Sequence, residues 1–86
     1  MTHTSVQVQN TSTLVLAGAT TRELLILVND SSANLYISFN DAAEVGKGIR
    51  INANGGNIVL DNHIPAGNIY AIHSGSGDKK LLISYT

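Results

Sequence analysis

The sequence predicts an all-β protein, a single small antiparallel β-sandwich of about eight short strands with jelly-roll or immunoglobulin-like connectivity. Three observations point there. Short apolar runs alternate with turn-forming residues from one end of the chain to the other. No stretch sustains helical periodicity beyond a single turn. The connecting segments are too short for the crossovers that parallel strands require.

Val6 and Val8 alternate with Ser5, Gln7 and Gln9, the period-two pattern of a half-buried strand. Thr13 to Leu16 is a second strand, closed by Gly18. Arg22 to Asn29 is the strongest, with Leu24, Leu25, Ile26, Leu27 and Val28 apolar on both faces. Asn29 to Ser32 is a turn built from residues that hydrogen-bond their own backbone. Asn34 to Phe39 alternates again, with Leu35, Ile37 and Phe39 on one face and Tyr36 and Ser38 on the other. Asn40 to Lys47 is the one helix candidate, with Asp41 and Glu44 at capping-box spacing; Gly46 and Gly48 limit it to one turn. Ile49 and Ile51 then point away from Arg50 and Asn52. Asn54-Gly55 signals a primed turn, which predicts a hairpin with Asn57 to Leu60 as its return strand. Asp61 to Gly67 is a loop around Pro65. Asn68 to His73 and Lys79 to Tyr85 are expected to pair across the Ser74 to Asp78 connection.

Composition excludes whole classes of function. The chain has 86 residues and no Cys, so disulfide frameworks and thiolate zinc sites are out. A net charge of −1 argues against a surface that holds nucleic acid by counterion release. Leu24 to Val28, the longest apolar run, is far short of the roughly 20 residues of a membrane-spanning helix. The start, Met1 to Ser5, lacks the basic and apolar regions of a secretory signal, so a soluble product made in the cytoplasm is expected. Only 13% of residues are charged, whereas 8 Ser, 7 Thr and 9 Asn supply small neutral polarity. A chain this short buries only about 60–65% of its unfolded surface, and small proteins without disulfides or metals commonly rely on a partner.

No constellation of reactive residues stands out. Asp61, His63 and His73 are metal-ligand types, but they lack a fourth ligand and sit among turn formers. Ser74 to Lys79 looks like a phosphate-cradling glycine loop, yet a strand comes after it where a phosphate loop requires a helix. His73 and Ser74 are adjacent, which sends them to opposite faces of a strand and removes the base from the nucleophile. Tyr36, Tyr70 and Tyr85 would make a small aromatic platform for a sugar or receptor; burying their rings at an interface is the plainer role. Arg22, Arg50, Lys79 and Lys80 are too few for a nucleic-acid groove. No catalytic, cofactor-binding or metal-binding residue is therefore assigned, and no enzyme is expected.

Two strands are apolar on both faces, Leu24 to Val28 and Leu81 to Ile83. One face of each meets the core; a neighbouring subunit, a larger host surface, or a loop or terminus of the chain itself must meet the other.

Several ordered blocks carry a family resemblance. Asn34 to Asn40 (NLYISFN), Gly48 to Gly56 (GIRINANGG), Ile64 to Gly77 (IPAGNIYAIHSGSG) and Lys80 to Ser84 (KLLIS) resemble small proteins of tailed-bacteriophage structural modules, over roughly residues 13–86. The resemblance implies a virion structural protein, best matched by a capsid decoration or cement protein: a small β-sandwich, often trimeric, seated on the head shell. It implies the major capsid protein or another virion protein as partner, self-association with a trimer favoured, no nucleic acid, no membrane and no cofactor. A place at the neck, tail or fibre, or a carbohydrate- or receptor-binding module, is the alternative. Residues 1–10 lie outside the matching blocks and are read as an N-terminal strand or docking arm, with residues 11–86 as the sandwich.

Overall fold

Alternating side chains become two packed faces in the computed structural model, which describes residues 1–86. Eight strands form: β1 (Thr2–Val8), β2 (Thr13–Leu16), β3 (Leu25–Asn29), β4 (Leu35–Phe39), β5 (Ile49–Ile51), β6 (Asn57–Leu60), β7 (Ile69–Ile72) and β8 (Lys79–Tyr85). They make two four-stranded sheets, ordered β1-β8-β3-β6 and β2-β7-β4-β5, with every pairing antiparallel. This order is the jelly roll, in which successive strands mostly change sheets. Leu25, Leu27, Leu81 and Ile83 from the first sheet meet Leu35, Ile37, Ile51, Ile69 and Ala71 from the second, all buried in one core. Val8 of β1 and Val15 of β2 complete it. The accessible surface is 4689 Å², about a third of the roughly 13,000 Å² that scaling gives for an unfolded chain of this mass.

Strand positions match the alternation, but partner choice departs from the hairpin expectation. Asn54 and Gly55 have φ of 60° and 100°, as a primed turn requires. Yet β6 pairs with β3, and β5 with β4, so this turn carries the chain from one sheet to the other. The β7–β8 connection does the same: β7 lies between β2 and β4, and β8 between β1 and β3. Only β4 and β5 are consecutive and paired. Dividing the strands four and four lets each sheet cover the other's apolar face, which a run of hairpins in one sheet would leave open.

The helical turn expected over Asn40 to Lys47 does not form. Asn40, Gly46 and Gly48 take φ of 76°, 83° and 82°, which no right-handed helix accommodates. A Cβ at Gly48 would run into the Ile37 carbonyl oxygen. Glu44 does not cap; its carboxylate pairs with Lys47 at 2.9 Å.

Residues 2–8 are an edge strand of the sandwich itself, paired with β8 from Thr2↔Tyr85 to Val8↔Lys79. Two polar side chains, Asn29 and His73, have no exposed surface. Asn29 ties the sheets together at one end: its Nδ2 donates to Ala33 O at 2.7 Å and Ile51 O at 2.9 Å, and its Oδ1 accepts from Ser31 Oγ at 2.6 Å. At the opposite end, Asn68 accepts from the Asn40 and Gly18 amides, both at 2.7 Å.

Candidate interaction surface

The outward face of the first sheet is where the doubly apolar strands leave their second side. Since Leu25, Leu27, Leu81 and Ile83 point into the core, their neighbours point away. Cross-strand register then arranges two outer rows: His3, Ser84, Ile26 and Val59, and beside it Ser5, Leu82, Val28 and Asn57. Ile26, Val28, Leu82 and Val59 form one apolar patch across β8, β3 and β6. Val59 is 54% and Leu82 37% exposed, while Ile26 and Val28 are half-buried by their neighbours. The β1 side of the face is polar: His3 Nδ1 lies 2.6 Å from Ser84 Oγ, and Gln7 stands opposite Lys80. Sequence reasoning misses Val59, because the Asn54-Gly55 turn assigns its strand to β5; β3's outward Ile26 is what places it in the patch.

The second sheet's outer face is built differently. Tyr36 and Tyr70 share it with Ser38, Arg50 and Leu14. Ala43 of the β4–β5 loop donates its amide to Ser12 Oγ at 2.8 Å. A loop that leaves β4 and reaches the head of β2 must cross β7, which accounts for Ile72 pointing outward yet being only 8% exposed. An open depression of about 260 Å³ lies under this loop, lined by Ser38, Asp41, Ala42, Glu44, Lys47 and Gly48. Glu44, hydrogen-bonded to Lys47 and of opposite charge, holds that ammonium above its usual range. The depression is smaller than the roughly 300–1,000 Å³ of typical ligand pockets and has a single apolar wall residue.

The remaining residues singled out from the sequence are dispersed. Asp61 and His63 are exposed in the β6–β7 loop. His73 is buried beneath the β7–β8 connection, with Nε2 2.8 Å from Gly77 O and Nδ1 accepting from the Gly75 amide at 3.1 Å. Both ring nitrogens therefore serve the backbone, leaving neither as a base for Ser74, which is exposed. No three His, Asp or Glu side chains are grouped to hold a metal ion. Tyr85 separates from the other tyrosines: it packs against the core from the first sheet, so the three-ring platform reduces to Tyr36 and Tyr70. Arg22 spans two loops, its guanidinium donating to Ala17 O and Pro65 O, and Arg50 and Lys80 sit on opposite sheets. Compared with known proteins, the chain matches no family profile, no curated protein and no solved structure.

Proposed function

We propose that this chain is a non-enzymatic structural protein of the tailed-phage virion, a capsid decoration or cement protein that reinforces the head shell through subunit contacts. The phage setting rests on the sequence resemblance alone; the observation that supports a contact role is the partly exposed apolar patch of Ile26, Val28, Val59 and Leu82 on the outer face of the first sheet. Covering such a face releases water from apolar surface and desolvates few charges, which favours permanent packing against a neighbour. A standard interface takes about 800 Å² per partner, about a sixth of the 4689 Å² this chain exposes. The partners in this reading are the major capsid protein or another virion protein, and further copies of the chain, with a trimer as the expected unit. The patch would serve equally at a neck, tail or fibre, and location in the particle separates those roles. The test compares particles purified with and without the protein for resistance to heat and low salt. Greater resistance with it supports the role; equal resistance, or absence of the chain from purified particles, overturns it.

A second reading is a carbohydrate- or receptor-binding module, favoured by Tyr36 and Tyr70 sharing one outer face. A glycan screen without binding removes it.

A further inference from the structure

The sandwich has four sheet edges: β1 and β6 on one sheet, β2 and β5 on the other. Exposed edges template pairing with other chains, and proteins blunt them by shortness, charge, proline or bulges. Three edges here are blunted. β6 is four residues long; β5 is three and carries Arg50; β2 is four and has a register shift between Leu14 and Leu16. β1 has none of these devices. It runs seven residues in unbroken register, and no Asp, Glu, Lys, Arg or Pro precedes Arg22.

The ladder shows which groups of β1 are free. Asp30 N donates to Lys80 O at 3.1 Å and Thr86 N to Leu24 O at 3.2 Å, so the even-numbered residues of β8 bond towards β3. Alternate residues of an antiparallel strand bond to opposite sides, so the odd-numbered residues of β8 bond to Thr2, Thr4, Val6 and Val8. The N–H and C=O groups of His3, Ser5 and Gln7 therefore point off the sheet, and no hydrogen bond outside the ladders uses them. Beyond Gln7 the edge closes: Gln9 O accepts from His73 N at 3.2 Å, and Gln9 N donates to Thr13 Oγ1 at 3.0 Å.

We infer that β1 pairs antiparallel with β1 of a second copy, about a two-fold axis through Ser5. In that register Ser5 faces Ser5 and His3 faces Gln7, and all six free backbone groups find partners. The outer row brings no acidic or basic pair into opposition, because β1 carries no Asp, Glu, Lys or Arg. On the inner side Val6 of each copy lies beside Thr4 of the other. Thr4 points towards the core side and is still exposed, so this corner of the sandwich is open to receive it. A two-fold pairing consumes the unprotected edge on both chains and leaves only blunted ones, so it closes without growing into a fibre. The result is a continuous sheet ordered β6-β3-β8-β1-β1-β8-β3-β6. This surface is distinct from the apolar patch, and the inference does not rest on the virion reading; a trimer built through the patch would leave every β1 edge free for it.

Two variants test it by mass in solution and by cross-linking. Ser5→Pro removes an N–H that faces off the sheet and sets a ring in the partner's path, while the β8 ladder stays intact. The expected result is an assembly with an even number of chains for the wild type, and half that mass for Ser5→Pro with an unchanged circular dichroism spectrum. Ser5→Lys gives the same halving should the proline variant not fold. The chain has no native cysteine, and facing Cα atoms in a hydrogen-bonded pair lie about 5.5 Å apart, within disulfide reach. Ser5→Cys is therefore expected to oxidise to a covalent dimer at least tenfold faster than Ser76→Cys in the exposed β7–β8 loop. A wild-type monomer, an unchanged mass in both Ser5→Pro and Ser5→Lys, or equal cross-linking rates would overturn the pairing. Equal heat resistance of particles with and without the protein, while these results stand, would sink the virion reading alone.

Discussion

Changing Asn29 to Asp alters one group in a side chain with no exposed surface, and it strikes the junction between the sheets. The amide Nδ2 that donates to Ala33 O and Ile51 O becomes an oxygen facing two carbonyl oxygens, and only the bond from Ser31 Oγ survives. Each lost hydrogen bond removes about 1 kcal/mol net, and burying the new acid oxygen with no donor facing it adds about 1–3 kcal/mol. The sum is roughly 3–5 kcal/mol, a large share of the roughly 4–13 kcal/mol that a domain of this length possesses. At about 4–8 °C per kcal/mol for domains of this size, Tm falls by at least about 12 °C. The effect has a pH signature. A buried carboxylate without a cation has its pKa raised on folding, so the penalty is full near pH 7 and shrinks as pH falls and the group protonates. The protonated acid also regains one donor. Thermal melts tracked by circular dichroism at pH 7 and pH 4, with wild type measured alongside, read this directly. A variant melting within about 2 °C of wild type at pH 7 would refute the reasoning, as would a gap that does not narrow at pH 4.

The packing predicts three further outcomes. Leu27→Ala, at a buried core position, is expected to cost about 2–5 kcal/mol in denaturant unfolding with an unchanged m-value. Gly48→Ala places a Cβ against the Ile37 carbonyl at a positive φ, and should cost about 1–3 kcal/mol by the same assay. His73→Ala removes the partners of Gly77 O and the Gly75 amide; faster hydrogen exchange and proteolysis confined to Ser74–Asp78, with the core ladders still protected, is the expected pattern.

Strand positions are legible in the sequence because burial imposes a period of two, and it does so locally: Leu35, Ile37 and Phe39 against Tyr36 and Ser38 require no tertiary knowledge. Pairing is not legible. Asn54-Gly55 has the backbone of a hairpin turn, but the partner of the next strand is decided by which sheet has an edge to offer, a property of the whole chain. The loop over Asn40–Lys47 misleads for a related reason: Asp41 and Glu44 have capping spacing, whereas glycines at positive φ and the tether from Ala43 to Ser12 fix an irregular path. The outer patch is half visible. Ile26, Val28 and Leu82 announce a second apolar face, and Val59 joins only once β6 is placed beside β3. The free edge of β1 is invisible, since nothing in Thr2–Val8 itself says that one side will have no neighbour.

The most direct measurement of the proposed role adds purified protein back to virions that lack it and scores both bound copies and heat resistance. Wild type is compared with the Val59→Ser, Leu82→Ser double variant, whose changes sit on an exposed face and leave the core untouched. Binding and restored resistance by wild type, with at least tenfold weaker binding by a variant of unchanged fold, is the expected result. Equal occupancy and equal protection by the two proteins, or no binding by either, would contradict the claim that this face is the contact surface.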